Sequence, residues 1–581
     1  MLTRHVPWAT GGPARPSVAI ASRGAAVLAL CVVLLIAGCK GDEPDLIFHG
    51  GLVLTVNAKD EVAQALAVRD GVITAVGSHD AVMANRGAGT QLVDLKGRTL
   101  MPGFVGAHEH PSITAVFSGA VDLSGFRYRT NAEVWQALRK AVAGRPKGEW
   151  IYAGGLDAIL TPDLKIPHRR ELDAISPDNP LVLVSQTLHS YWANSRAFAE
   201  AGIGRDTPDP GAGSYYERDA QGELTGFVAE TRAGAPLIQG LKSPWKVYSR
   251  YVEVLDGLLA RGFTSVASMG FNVPPVLAKV AASRQFRPRI RQFFYLVEEE
   301  LKYLPDSPAE GNDHFRVLGV KLWHDGSPYT GSMFTSTPYL DTPLARTLGI
   351  RPGSHGAAMI PEAQLVEKIR RHTAAGWQVA IHSQGDASNR AVLQAVEQAG
   401  PLAGAAPAVR MEHGVFLPGQ DMARLAQLQV SPSFHIHHIK YYGDALADSI
   451  VGRQAAMQVL PVRTAFEHGV RPTLHADSPM FPPDGFALMQ TAMNRRTGTG
   501  LQLNAPQGIT VQQALRAMTV NGAWQLRLER QTGSLETGKW ADLQVVDRNP
   551  YDGPVDTLDQ IRILSVYVGG RLQYELAARR P

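Results

Sequence analysis

Apolar segments alternate with helix-like stretches along most of the chain, and this alternation constrains the fold more than any other feature. Nine segments read as strands: 101–106, 181–186, 263–268, 289–297, 316–323, 377–382, 409–413, 428–433 and 471–476. Strands separated by helices are typical of repeated βα units and a parallel sheet. We therefore predict an α/β fold with a (β/α)8 barrel of the TIM type over residues 101–524. Such a barrel needs only eight strands, so we assign 181–186 to an insertion.

The spacing of polar residues at the predicted strand ends agrees with this barrel. His382 and His413 are 31 residues apart, close to one βα unit of ~30 residues. His413 and Asp477 are 64 residues apart, close to two such units. In contrast, His110 and Lys321 are 211 residues apart, far more than two or three units need. We therefore expect an inserted subdomain at about 113–260.

Short apolar strands broken by turns occur near both ends of the chain. The segments Ala65–Arg69 and Val72–Val76 flank Asp70-Gly71, which is a strong hairpin signal. A similar series of strands ends the chain. We predict that residues 45–100 and 525–581 form one composite β-sandwich, with the barrel domain inserted between its two halves.

The first 38 residues have the features of a secretory signal. Three arginines precede an uncharged run from Ala25 to Gly38, and Cys39 follows directly. The apolar run is too short for a stable membrane span. The sequence Ile36-Ala37-Gly38-Cys39 resembles the bacterial lipobox, in which the signal is cut before the cysteine and the cysteine carries lipid. An ordinary signal peptide or a short N-terminal anchor is the alternative.

A lipobox implies a protein of the bacterial cell envelope that faces the periplasm or the exterior. Acyl chains on Cys39 would be its only membrane contact, with residues 39–44 as a tether. Loss of the signal lowers the formal net charge from +4 to +1, so a nucleic-acid partner is not expected. The remaining cysteine, Cys31, lies in the signal, which excludes thiolate ligands and cysteine nucleophiles from the folded domain. The oligomeric state is open, with a homodimer as one option.

Histidines and one aspartate end several of the predicted strands. His108 and His110 would point to the same side of the first strand, although His-x-His alone is weak evidence for a metal. His382, His413 and Asp477 end three later strands. Barrel strands converge at their carboxyl ends, where barrel enzymes have their sites. Four imidazoles and a carboxylate suit zinc with a position left for water. Hydrogen-bonded core histidines are the alternative.

Seven segments in this order resemble the amidohydrolase superfamily, and most closely amidohydrolase family 3, which includes enzymes like N-substituted formamide deformylase. They are PGFVGAHEH, GFTSVASMG, VKLWHDGS, AIHSQGD, RMEHG, HADSP and GSLETGKWADLQVVD. The resemblance runs from about Asp45 to Tyr567. It implies a metal-dependent hydrolase on a barrel flanked by a composite β-sandwich. The substrate it implies is a small molecule with a C–N bond, such as an amide or formamide.

The resemblance also implies roles for individual residues. His108, His110 and Asp477 would bind the more buried metal, and His382 and His413 a second one. Lys321 matches the lysine that is carboxylated in many two-metal relatives; a structural lysine beside a one-metal site is the alternative. One or two divalent ions, zinc first, are thus expected. Asp477 would accept the proton of the metal-activated water and pass it to the leaving nitrogen.

Further positions are candidates for contact with the substrate. His189 matches a family motif near the substrate, where it would steady the carbonyl oxygen or have a structural role. His475 shares a strand face with Asp477, so it would either orient Asp477 or touch the substrate. Trp192 and Tyr329 would either form an aromatic wall for a hydrophobic substituent or be ordinary core residues. His435 would line the pocket or lie in a surface loop, together with His437 and His438.

Gly106 departs from the family pattern, because relatives commonly carry an acidic residue there. Two residues before His108, such a carboxylate would face the metal, so its absence would change metal affinity or preference. Two alternatives to C–N hydrolysis also stay open. One is hydrolysis of an ester, lactone or cyclic imide at the same site, and the other is a lipoprotein that binds a ligand without turnover.

Overall fold

The computed structural model of the chain describes residues 43–211, 213–270, 289–402 and 407–577. The predicted signal peptide and Cys39 lie outside the described residues. Within the described ranges, no helix has the length and apolar character needed to cross a membrane. Strands are numbered β1–β24 in chain order.

Eight strands form one parallel sheet that is nearly closed into a barrel. In sheet order they are Phe104–Glu109 (β8), Phe263–Met269 (β15), Arg291–Leu296 (β16), Phe315–Trp323 (β17), Gln378–Ser383 (β18), Val409–His413 (β19), Ser431–Phe434 (β20) and Thr473–Leu474 (β21). The carboxylate of Glu109 accepts the backbone N–H groups of Ala476 (3.2 Å) and Ser478 (2.7 Å). These bonds join the two edge strands at their carboxyl ends. The predicted barrel is therefore confirmed, with its first strand three residues later than expected.

Most helices that accompany the barrel strands are amphipathic. In Glu362–Ala374, for example, Leu365, Val366 and Ile369 are buried, and this spacing of three and four residues gives a helix one apolar side. The other helices of this part are Pro111–Phe117, Pro244–Leu259, Pro343–Thr347, Asp386–Ala399, Met422–Leu428, His437–Ala445, Arg453–Ala456, Val462–Glu467, Gly485–Asn494, Val511–Met518 and Val520–Gln525, with a π-helical turn at Leu446–Ile450. Short 3₁₀ segments lie at Glu298–Tyr303, Pro328–Thr330, Gly419–Asp421, Ala505–Gln507 and Val555–Gln560.

The chain between β8 and β15 forms a second, mixed sheet of six strands. In chain order these are Val121–Asp122 (β9), Ile151–Leu156 (β10), Leu181–Ser185 (β11), Ser190–Ala193 (β12), Tyr215–Arg218 (β13) and Leu224–Ala229 (β14). The segment predicted at 181–186 is β11, so it lies outside the barrel as expected. Helices of this part are Asn131–Ala143, Arg169–Ile175, Ser195–Glu200 and Glu230–Gly234, followed by a 3₁₀ segment at Ala235–Lys242.

Strands near the two ends of the chain form two further sheets, and the second of these sheets contains strands from both ends. One has the order β5-β4-β1-β6 and contains Leu46–His49 (β1), Ala65–Arg69 (β4), Val72–Gly77 (β5) and Gln91–Asp94 (β6), with the helix His79–Met83 after β5. The other has the order β24-β23-β22-β7-β2-β3 and contains Leu52–Leu54 (β2), Val62–Ala63 (β3), Thr99–Pro102 (β7), Leu543–Val546 (β22), Ile563–Val568 (β23) and Arg571–Glu575 (β24). Phe48 and Leu66 of the first sheet pack in one apolar cluster with Leu543 and Tyr567 of the second. That these sheets form a separate domain stays a prediction.

A buried ion pair connects the barrel to the terminal sheets. Arg291 in β16 donates from Nε to Asp542 Oδ2 (2.8 Å) and from a terminal nitrogen to Asp542 Oδ1 (3.0 Å). Both side chains are almost fully buried, and the guanidinium lies 3.8 Å from the centre of the Trp540 ring. The two charges stabilise each other, because water cannot reach either of them.

Replacing Arg291 by Met is therefore expected to lower the free energy of unfolding by about 3–5 kcal/mol, since it leaves the Asp542 charge buried without a partner. Urea unfolding monitored by circular dichroism measures this loss. Arg289→Met is the control, because Arg289 pairs with Asp256 (2.6 Å) where both side chains are about half exposed. Exposed pairs contribute about 0–1 kcal/mol. Equal losses in the two variants would contradict the role given to Arg291.

Candidate metal centre

Three predicted ligands meet where β8 and β21 end. Nε2 of His108 lies 3.1 Å from Asp477 Oδ1, and Nε2 of His110 lies 3.0 Å from the same oxygen. The donor atoms of His108, His413, His475 and Asp477 all lie within 4.8 Å of one another. Among the described residues, neither His108 Nε2 nor Asp477 Oδ1 has a partner with hydrogen-bond geometry. Nitrogen and oxygen donors that crowd one point, two of them without a hydrogen-bond partner, fit a divalent metal ion.

The protonation states of these residues also fit a metal. Burial lowers the pKa of His110, and lowers the pKa values of His382 and His413 well below the usual range of histidine. Burial alone would raise the pKa of Asp477, but its close contacts with the imidazole groups of His108, His110 and His413 outweigh burial and hold the pKa well below normal. Neutral imidazoles and an ionised carboxylate are the forms that bind metal ions.

Two predicted ligands remain, His382 and Lys321, and both are buried. The His382 and His413 rings are 4.3 Å apart between their centres. Lys321 in β17 is buried, and its Nζ has no hydrogen-bond partner among the described residues. Burial lowers the pKa of Lys321 to about 8. Its charge in turn lowers the pKa values of His382 and His413.

His475 packs behind the ligands. Its ring stacks on that of His108, with the centres 4.4 Å apart and the planes 9° from parallel. Its Nε2 lies 3.2 Å from His413 Nδ1, and its Nδ1 lies 2.8 Å from Ser433 Oγ. The side chain is fully buried. These contacts favour a role in orienting the ligand histidines, rather than direct contact with the substrate.

The sequence analysis missed a buried pair that supports His108. Nδ1 of His108 donates to Glu412 Oε2 (2.5 Å), and Arg410 donates to both oxygens of Glu412 (2.7 and 3.0 Å) and to the Ala107 carbonyl (2.8 Å). Burial alone would raise the pKa of Glu412, but Arg410 and His108 reduce it to about 2. A carboxylate on the free nitrogen of a ligand histidine fixes its tautomer and its orientation. The available signal was an Arg-x-Glu pair inside an otherwise apolar strand.

Gly106 does not occupy the position that we expected. A Cβ atom there would lie 3.2 Å from Cδ1 of Phe263 and 3.5 Å from Cγ2 of Val266, both apolar side chains. The pairing of β8 with β15 shifts register along this stretch, so alternation of faces does not extend from His108 back to Gly106. The prediction that this position faces the metal was wrong. At His108 the carboxylate comes from Glu412 instead.

The predicted substrate contacts fall into two groups. Trp192 and Tyr329, together with Tyr215 and Phe227, line a cavity of about 640 Å³ beside the inserted sheet. His435 is buried against the metal centre, with Nδ1 3.9 Å from Asp477 Oδ2 and Nε2 2.9 Å from the Ala476 carbonyl. The alternative of a surface loop was wrong, because His437 and His438 are buried as well.

His189 belongs to the loop between β11 and β12. Its Nδ1 donates to Glu230 Oε2 (2.7 Å), and its ring is partly exposed. Its charge lowers the pKa of His382, one of the predicted ligands. The inserted subdomain therefore contributes a polar group to the barrel mouth.

Comparisons with known proteins agree with this site. A sequence profile of the amidohydrolase family matches residues 91–574. The chain is 29% identical to N-substituted formamide deformylase of Arthrobacter pascens over 549 residues, which cover 91% of this chain and 98% of that protein. The fold is similar to those of two uncharacterized metal-dependent hydrolases, from Pyrococcus horikoshii OT3 (TM-score 0.70, 23% identity, 88% of this chain and 99% of that chain) and Pyrococcus furiosus (0.67, 24%, 87% and 100%). With most of its length matched by the profile, this chain belongs to the amidohydrolase family.

Proposed function

We propose that this protein is a metal-dependent amidohydrolase that cleaves a C–N bond in a small amide, formamide or related molecule. The observation that carries the proposal is the convergence of His108, His110, His413 and Asp477 on one point at the barrel mouth. Sequence similarity to a protein named N-substituted formamide deformylase supports an amide-type substrate.

The chain offers ligands for two divalent ions. His108, His110 and Asp477 would hold one, and His382 and His413 the other. A bound ion would supply Lewis acidity, which polarises a carbonyl group and makes water more acidic. Zinc is the ion that this nitrogen and carboxylate set suits best.

Lys321 is suited to become a carbamate that bridges the two positions. Only an unprotonated amine adds to CO₂, forming an N–C bond and releasing a proton, and burial lowers the pKa of Lys321 to about 8. Its Nζ also has no hydrogen-bond partner among the described residues, so a carboxyl group could be added without breaking an existing hydrogen bond.

Replacing Lys321 by Ala is expected to reduce the metal content from about two ions per chain to about one, because the bridging anion is lost. Elemental analysis of the purified variant measures the content. Lys368→Ala is the matched control, since Lys368 forms an ion pair with the exposed carboxylate of Glu298 and not with any predicted metal ligand. Full metal content in Lys321→Ala would favour the one-metal alternative.

Asp477 is placed to move the proton that hydrolysis requires. One oxygen lies beside His108 and His110, and the other lies 4.0 Å from His413 Nδ1. As an ionised carboxylate it accepts a proton from the attacking water and then delivers it to the leaving nitrogen, which departs as a neutral amine. His189, from the loop between β11 and β12, would then be the donor to the carbonyl oxygen.

Hydrolysis of a panel of N-formyl and N-acyl amines tests the proposal. The panel includes matched esters, lactones and cyclic imides, with release of amine, alcohol or acid as the readout. We expect the amides to be hydrolysed with the highest kcat/KM. Preference for an ester, lactone or imide would replace the proposed substrate class, and binding without turnover would favour a ligand-binding lipoprotein.

A further inference from the structure

His189 and Glu230 come from the ends of two neighbouring antiparallel strands. Ser190 at the start of β12 is aligned with Ala229 at the end of β14, so the residues next to them lie side by side. The backbone N–H of Glu230 donates to the His189 carbonyl (2.8 Å). Their side chains are also hydrogen-bonded, since His189 Nδ1 donates to Glu230 Oε2 (2.7 Å). The imidazole is thus held by both the backbone and the side chain of one partner.

The backbone around this pair is unusual. Glu230 has a φ of 67°, and Leu188 directly before His189 has a φ of 62°. Residues with a side chain rarely adopt this left-handed conformation, which is less stable for them than extended or helical backbone. Strain of this kind persists only where the surrounding structure enforces it, and it concentrates at functional sites.

The loop that carries His189 is also attached to the metal centre. Nε2 of Gln186 donates to the backbone carbonyls of Pro479 (2.9 Å) and Met480 (2.7 Å), which follow Asp477 in the chain. The inserted subdomain and the last barrel strand are therefore fixed to each other at this point. Movement of His189 relative to Asp477 would break these bonds.

The hydrogen bond to Glu230 determines which nitrogen of His189 is available. Nδ1 is engaged, and Nε2 has no partner in the part of the chain that the structure describes. Burial alone would lower the pKa of His189, but the charges of Glu230 and Asp477 outweigh it and raise the pKa. The raised pKa favours the imidazolium form, in which Nε2 also carries a proton and can donate a hydrogen bond while Nδ1 stays bonded to Glu230.

We propose that Glu230 is a positioning residue that fixes His189 so that its Nε2–H donates to the carbonyl oxygen of the substrate. Negative charge develops on this oxygen when water attacks the carbonyl carbon, so a fixed donor lowers the barrier more than it strengthens substrate binding. No proton is transferred from His189 in this role. The inference rests on the proposed amide hydrolysis.

The test compares kcat and KM of His189→Ala, Glu230→Ala, Glu230→Gln and the double variant His189→Ala/Glu230→Ala, on the best amide of the panel. Loss of His189 is expected to lower kcat by about 10²-fold, the effect of losing one fixed donor to a developing oxyanion. The kcat of Glu230→Ala is expected to lie within about threefold of the kcat of His189→Ala, with KM nearly unchanged. Because both residues act as one unit, the double variant is expected to be no slower than His189→Ala.

Glu230→Gln separates positioning from folding. Glutamine keeps the shape and an acceptor oxygen but loses the charge, so kcat is expected to fall only about tenfold. Glu223→Gln is the matched control, since Glu223 directly precedes β14 and pairs with Arg205 (3.2 Å) at an exposed site. Metal content and the thermal midpoint are measured for every variant and are expected to match the wild type.

Several results would overturn the role of Glu230 while leaving the proposed function intact. They are a wild-type kcat in Glu230→Ala, a loss in the double variant equal to the product of the single losses, and a rise in KM without a fall in kcat. If the wild type hydrolyses no amide, the proposed function itself fails. Should Glu230→Ala not fold, the kcat of Glu230→Gln replaces it: a tenfold fall supports the role, and a wild-type value contradicts it.

Discussion

Replacing Asp477 by Asn is expected to lower kcat by about 10³- to 10⁴-fold, near the upper range for a group that transfers a proton in the transition state. Asparagine has the same size but neither the negative charge that binds a cation nor the basicity that accepts a proton. Both oxygens of Asp477 face histidines of the metal centre, whereas the nearby carboxylates of Glu109 and Glu412 are engaged by backbone N–H groups and by His108, respectively. Measuring kcat with excess zinc separates the catalytic loss from weaker metal binding.

The control for this prediction is Asp547→Asn. Asp547 pairs with Arg562 (2.9 Å) in the terminal part of the chain, where the arginine is exposed. It should retain the activity of the wild type. An Asp477→Asn enzyme that keeps more than about a tenth of wild-type kcat would contradict the proton-transfer role.

Replacing Arg410 by Met is expected to lower the free energy of unfolding by about 3–5 kcal/mol, because the Glu412 charge then lacks its partner in a fully buried position. It should also weaken metal binding. Without Arg410, Glu412 would take up a proton and could no longer accept the hydrogen bond that fixes the orientation of His108. Urea unfolding of metal-free protein measures the first effect. Competition with a chelator measures the second.

The double variant Arg410→Met/Glu412→Met separates these effects. Removing both charges together avoids an unpaired ion, so much of the lost stability should return. The metal affinity should stay about 10- to 100-fold lower, because His108 Nδ1 still lacks its carboxylate. Wild-type metal affinity in the double variant would show that Glu412 does not support the site.

The barrel, and the meeting of the predicted ligands at its mouth, could be predicted because each signal was local. A histidine or aspartate that ends an apolar strand must lie at the mouth once the strands are parallel, wherever the strands come from. The first barrel strand was predicted too early in the sequence, because the segment from Thr99 to Val105 contributes to two different sheets. Thr99–Pro102 pairs with Leu543–Val546, and the barrel strand begins only at Phe104. Pro102-Gly103, a dipeptide that commonly interrupts strands, lies at this change of partner.

The support of the ligands could not be predicted, because it depends on pairs far apart in the chain. Glu412 lies 304 residues after His108, and Glu230 lies 41 residues after His189. Contacts of this kind follow from strand register, which one sequence does not reveal. Gly106 shows the same limit, since a shift in register turned it away from the face of His108.

The central claim, that the ligands at the barrel mouth make this chain a metal-dependent hydrolase, is tested most directly by removing and restoring the metal. Hydrolysis of an N-formyl amine would be followed for wild-type protein treated with a chelator, dialysed, and then titrated with zinc, while bound zinc is measured in each sample. We predict that hydrolysis is lost with the metal and returns in proportion to bound zinc. Undiminished hydrolysis by the metal-free protein would contradict the account.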